Sequence, residues 1–489
     1  MGIMCQLIYT PLVSATTVTT PQHTMAMFTA QAAKRQKTSS LRDASSRANI
    51  PEANEFFPAL SKVEYKPEAG VEDTLSYRYY NATERVHGRP MEEWLRPAVS
   101  YWQAFHLPST SHGFSFNEST YSRPWDDGTQ TLDCYKRRLR AAFEFYSKLG
   151  VKHWTVWDRQ LAPESDSQEE FSHNLDESVE FVNELQHRSG VRPLWLGVDL
   201  YSQHKYFNGA GTSSDAAVVS AAGAQIKKAL EIAQKLGAEN FLFRGAREGF
   251  SSTLNTDHSR QLRNYARLLK MAADYKDRLG YRGQLLYEPN YEDWFNDSNY
   301  DTEQKTFFRY EYDSTSAICF LKHYGLDRQY KLSVRPGHQL TLASVYGALG
   351  SVDTTFTTTP PHLPDTVLLL KSVIENGGLQ PGGINIGVKL RPDSVDLKDL
   401  AVAYISTIDT YAKALRVAAK IIADGVFIKN LQQRYLTFHS GFGSRFMNGE
   451  ASLEECDEYT RKQNGENIPT SGRSEHWEAL FNRYVDSRY

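Results

Sequence analysis

Short apolar runs alternate with amphipathic stretches along most of this chain, beginning at about Asn54 with Phe56–Phe57–Pro58 and an aromatic-rich lead-in to Tyr80. The segment from Pro97 to Phe105 predicts a first strand. A helix is expected from about Leu132, because Leu139, Ala142, Phe143, Tyr146 and Leu149 share one face and Gly150 is placed to end it. The same alternation continues with a strand from His153 to Asp158, a helix from Asn174 to Gln186 and a strand from Pro193 to Leu200. Val219, Ala222, Ile226, Ala229, Ala233 and Leu236 then form a helical stripe closed by Gly237. Further strands are expected at 240–245, 284–289, 330–335, 347–353 and 382–390, which brings the count to eight. Eight strand–helix units in series predict a closed parallel (β/α)8 barrel, a TIM barrel, in preference to an open sheet. One unit is thin: between His338 and Asp353 there is room for one or two helical turns. A last helix is expected from Asp396 to Asp424.

That pattern divides the chain into three parts. Residues 54–424 form the barrel, and 425–489, polar and irregular with a charged run from Glu454 to Glu458, form an extended or helical arm expected to contact a partner or a second copy. Residues 1–53 differ in kind: no acid occurs from Met1 to Arg42, Ser and Thr abound, and Lys34, Arg35, Lys37, Arg42 and Arg47 cluster late. Transit peptides carry arginine early, so a disordered tail on a cytoplasmic protein is the expectation, with mitochondrial targeting as the alternative.

Composition narrows the partners. A net charge of −3 supplies no broad field for nucleic acid or an acidic membrane. No run of about 18 apolar residues is present to span a bilayer. The four cysteines lack metal-ligand spacing and suit a reducing compartment.

Candidate chemistry begins at Gln284–Pro289. This apolar run delivers one carboxylate, Glu288, to the carboxyl end of a buried strand, and in barrels of this kind those ends line the reactive mouth. Several peptides around it resemble one family: Ser122–Arg123–Pro124–Trp125–Asp126, Asn174–Leu175–Asp176–Glu177, Gly245–Ala246–Arg247–Glu248–Gly249 followed by Leu254–Asn255–Thr256–Asp257, and Leu349–Gly350–Ser351–Val352–Asp353. In order from about Asn54 to Tyr459, they are similar to xylose isomerase. The resemblance implies a TIM barrel, usually a tetramer held partly by its carboxyl-terminal arm, that isomerises an aldose to a ketose at two Mg²⁺- or Mn²⁺-like ions.

The matching positions are mostly altered. Glu288 stands where the family has a metal glutamate, His338 matches a metal histidine and Asp353 a metal aspartate. Arg335 takes the place of the glutamate that bridges both ions, Gly387 that of the last aspartate, and the aspartate pair after Asp353 is missing. Trp157 replaces the histidine that helps open the sugar ring, Gln160 its carboxylate partner and Asn290 a substrate-contacting lysine. Arg244 replaces a pocket tryptophan, whereas Trp102 and Trp195 match pocket tryptophans. Glu288, His338 and Asp353 alone lack most of the oxygen shell a hard cation needs, so no metal is the expectation and Mg²⁺ or Mn²⁺ the alternative. Two acids beside two new arginines suggest arginine charge in place of metal charge, with an arginine opposite Glu288. The expected function is a non-catalytic scaffold, assembly subunit or sugar-sensing module; the alternative is an aldose–ketose isomerase of weak or altered activity.

Overall fold

A computed structural model describes residues 55–106, 123–165, 167–289, 308–355, 359–388, 390–391, 393–463 and 471–487. The fold lies in the unit Asn54–Tyr489. Its centre is a closed barrel of eight strands: β1 (Pro97–Ser100), β2 (His153–Trp157), β3 (Arg192–Val198), β4 (Asn240–Arg244), β5 (Gln284–Glu288), β6 (Tyr330–Val334), β7 (Leu349–Asp353) and β8 (Ile384–Ile386). Every pairing is parallel and joins sequence neighbours, with β8 returning to β1. The predicted barrel is therefore present.

Helices follow the strands: α1 (Leu132–Leu149), α2 (Gln168–Ser189), α3 (Ala216–Leu236), α4 (His258–Leu279), α5 (Ser314–His323), α6 (His338–Val345), α7 (Leu363–Glu375) and α8 (Leu397–Asp424). Local chemistry sets their ends. Thr131 accepts from the Cys134 N–H to start α1, and Gly150, at φ 73°, stops it in the left-handed conformation that glycine adopts at little cost. Asp257 and Asp396 cap α4 and α8 in the same way. The thin unit between β6 and β7 holds α6, a helix of 8 residues.

Two expectations are corrected. The first strand stops at Ser100, and Tyr101–Phe105 is helical. Helical spacing lets Tyr101 and Phe105 stack at 6.2 Å and face Trp154 and Trp125, whereas a strand would hold the two rings on one face but about 13 Å apart. The stretch beyond Gly425 is not irregular. It holds α9 (Val426–Arg434), α10 (Gly441–Met447), α11 (Leu453–Lys462) and α12 (Ser474–Val485). The charged run from Glu454 is the first turn of α11, where Ser452 caps the helix and acids favour its positive end.

The main core lies between the strands and the helices, while a small cluster of Ala98, Trp157, Leu194, Trp195, Leu242 and Leu286 fills the barrel interior. Among the described residues no helix is long and apolar enough to cross a membrane.

Candidate functional site

Parallel pairing of β4 with β5 sets Arg244 directly across from Glu288 at the carboxyl ends of the two strands. Arg244 donates through Nε (3.1 Å) and Nη2 (2.6 Å) to Glu288 Oε1, and through Nη2 to Asp353 Oδ2 at 3.3 Å. Both carboxylate side chains are 1% exposed and the arginine 15%. The arginine expected opposite Glu288 is thus Arg244, and it reaches the acid of β7 as well.

Each acid has a distinct surround. Asp353 Oδ1 accepts from the Asn385 amide and the Thr355 N–H, and Oδ2 also accepts from the Thr355 hydroxyl. Asn385 is in turn fixed by Thr155, at 2.7 Å. Among the described residues, Glu288 Oε2 has no hydrogen-bond partner. Burial pushes the Glu288 carboxyl up to about 7; Asp353 adds to the rise, while Arg244 and Arg335 oppose it. Burial works against the charge on Arg244, but Glu288, Tyr201 and Asp353 outweigh it and hold the guanidinium above its ordinary value.

Aromatic packing completes this end of the barrel. The Arg244 guanidinium lies 5.0 Å from the centre of the Trp157 ring, which meets Trp195 and Tyr201 edge-on. Trp157 presses against β3 where Gly197 leaves room: a Cβ there would sit 2.4 Å from the indole. The Trp157 N–H donates to Gln160 Oε1 at 3.2 Å, so the pair expected at the acid–base positions forms a structural cap. Gly387 leaves its space to Gln103, whose Oε1 would be 1.4 Å from an added Cβ and whose amide donates to the Thr355 carbonyl.

The remaining predicted residues scatter. His338 is exposed at the first position of α6, with Nε2 2.9 Å from the Gln339 amide nitrogen. Glu288, His338 and Asp353 therefore do not converge, because the loop after β6 carries the imidazole out to solvent. Trp195 is buried inside the barrel, covered by Trp157, instead of presenting an open stacking wall; Trp102 is half-buried on the short helix after β1. Asn290 lies outside the described residues.

Sequence reading counted two acids at the mouth, and the structure buries more. Asp158, just past β2, accepts from the Asp199 N–H and from Gln225, and burial pushes it up to about 7. Its place after a strand-end tryptophan was a usable signal. Glu311 is buried against Tyr287 with no local sequence mark.

A hard divalent cation takes about six oxygen ligands. Here two carboxylates share a guanidinium and the histidine is elsewhere, so the residues present do not fit such an ion. Among the described residues, the one grouping of three His, Cys, Asp or Glu ligand atoms within 4.8 Å of each other is Asp126, Asp127 and Cys134. Its acids are paired with Arg138 and Arg137.

Comparison with known proteins places this geometry in context. Residues 431–485 match the family model described as XylA2 C-terminal domain. The chain is 37% identical over 446 residues to the xylose isomerase of Arabidopsis thaliana, covering 87% of this chain and 90% of that one. It is 34% identical over 452 residues to the xylose isomerase of Thermoanaerobacterium saccharolyticum, covering 88% and 99%. Among solved structures, a D-psicose 3-epimerase from Clostridium cellulolyticum H10 aligns with 65% of this chain and 99% of its own, at 13% identity and a TM-score of 0.44.

Proposed function

The chain belongs to the xylose isomerase family, and from that premise we propose that it is a member that does not interconvert sugars and acts as a scaffold or assembly subunit. One observation carries the reading: the Arg244 guanidinium joins Glu288 to Asp353, two positions that the family resemblance matches to metal ligands. Arginine stays protonated at any physiological pH, so its charge cannot be titrated away to admit a dication. Two further replacements point the same way. Trp157 brings an indole, packed on Gly197, where a ring-opening base would be needed, and indole N–H has no basic lone pair to offer. Gln103 fills the space beside Gly387 that a ligand aspartate would require.

Purified protein is expected to contain no near-stoichiometric Mg, Mn or Co by elemental analysis, and to give no aldose–ketose interconversion with Mg²⁺ or Mn²⁺ added. Turnover abolished by Glu288→Ala would overturn the proposal in favour of an active isomerase. Sugar binding without turnover, seen by calorimetry in the presence of a chelator, would assign the barrel mouth a sensing role within the same non-catalytic reading.

A further inference from the structure

Glu311 is 1% exposed and stands behind the Arg244–Glu288 pair. Its Oε1 accepts from the Tyr287 hydroxyl, one residue before Glu288 on β5, while Oε2 is buried and, among the described residues, has no hydrogen-bond partner. The carboxyl also packs onto the backbone beside Arg244. A Cβ on Gly245 would lie 2.5 Å from Glu311 Oε1, so only glycine permits this approach. Glu311 thus touches the residue after Arg244 and the residue before Glu288.

The segment that carries it, residues 308–313, is a strap fastened to the loop after β4, to α4 and to Tyr287 of β5. It pairs through Gly249–Arg309 and Phe250–Phe308 in a short antiparallel ladder, with the Phe250 and Phe308 rings stacked at 5.4 Å. The Tyr310 N–H donates to the Glu248 carbonyl at 3.2 Å, and the Tyr310 hydroxyl meets His258 and Gln261 of α4. Asp313 then caps α5. In the middle of these fastenings Glu311 is the one carboxyl pressed against the barrel.

The titratable groups facing it are Tyr287 from β5, Tyr265 from α4 and Glu248 from the loop after β4. Glu248 accepts from the N–H groups of Ala210, Gly211 and Thr212 and from the Thr212 hydroxyl. A second negative charge placed beside it in a dry site is disfavoured.

We propose that Glu311 is a pH-sensitive latch: its neutral carboxyl holds the 308–313 strap against the ends of β4 and β5, and ionisation releases the strap from these two strands. Burial, reinforced by Glu248 and opposed by Tyr287, pushes this carboxyl up to about 8. The sign follows from linkage. The closed form binds a proton that the open form gives up in the ordinary carboxylate range, so closure is strongest in acid. It weakens as pH rises and levels off above about 8.

Hydrogen exchange of peptides spanning 308–313, corrected for intrinsic chemical rates and referenced to α3, tests this. Protection in the wild-type chain is expected to fall about tenfold per pH unit between about pH 5.5 and 7.5, then to level. Glu311→Gln, which keeps shape and cannot ionise, is expected to show a flat profile. A flat wild-type profile, or the same fall in Glu311→Gln, would overturn the latch. Should Glu311→Gln fail to fold, Tyr287→Phe decides: it removes a hydrogen bond that favours the ionised carboxyl, so the levelling point must move to higher pH, and an unmoved point sinks the idea.

Discussion

Arg244 is the residue on which the barrel mouth turns. Its charge offsets two nearly inaccessible carboxylates, and removing one partner of such a buried group leaves the others uncompensated, at a cost of about 3–5 kcal/mol. Arg244→Leu is therefore expected to lower unfolding stability by about that amount near pH 8. The double variant Arg244→Leu/Glu288→Leu is expected to recover much of it, because Asp353 keeps Asn385 and Thr355 as partners. Urea unfolding of both variants checks this, and equal losses would show that the pairing contributes little. Tyr201 and Trp157 pack on the same guanidinium, so part of the single-variant loss is van der Waals contact and persists in the double.

Strand β3 shows how an element can fix which side chain its neighbour uses. Gly197 lies under the Trp157 indole, and Gly197→Ala forces a methyl to within 2.4 Å of it. Overpacking of this kind costs about 1–3 kcal/mol, and the loss is expected to shrink sharply in a Trp157→Ala background; additive losses in the thermal unfolding of the four proteins would refute the contact. Much at this scale was legible in the sequence, because periodicity and capping are local. The eight strands, Gly150 and Gly237 as helix stops, and the weak unit holding α6 all follow from residues within a few positions of each other. Strand ends were less legible: Tyr101–Phe105 reads as apolar strand until its stacking partners Trp125 and Trp154 are in place. In the site, an arginine opposite Glu288 could be read from the strand ends, but which of Arg244 and Arg335 it is took the strand register. Gln103 beside Gly387 and Glu311 behind Gly245 could not, since they meet across long loops. Where the His338 ring points could not be read, because its offset from β6 says nothing about which way a loop turns.

On the scale of the whole molecule, the arm is the part that the proposed assembly role concerns. Ile428, Leu431, Leu436, Phe446, Met447 and Leu453 are exposed along α9 to α11, Leu453 by 83%. At the root of the arm, Ile421, Phe427, Ile428, Leu431, Tyr435 and Trp477 line a cleft of about 420 Å³. Single apolar residues on a surface mean little, but exposed apolar residues recurring on successive helices suit a surface that a partner covers. The arm's own ring contacts, Phe442 on Tyr459, Phe438 and Phe442 on Phe446, and Phe427 on Trp477, leave these side chains largely exposed. An assembly role for the chain makes these residues the partner face, whether the partner is a second copy or another protein. Light scattering at micromolar concentration is expected to give an oligomeric mass for the intact chain and a monomeric mass after deletion of 426–489. Leu431→Ser, Leu436→Ser, Phe446→Ser and Leu453→Ser in combination are expected to do the same while leaving barrel unfolding unchanged, since none of the four belongs to the core. A monomeric intact chain would exclude self-association and leave a different protein as the only occupant of the arm, whereas an oligomer that survives both changes would move the interface onto the barrel.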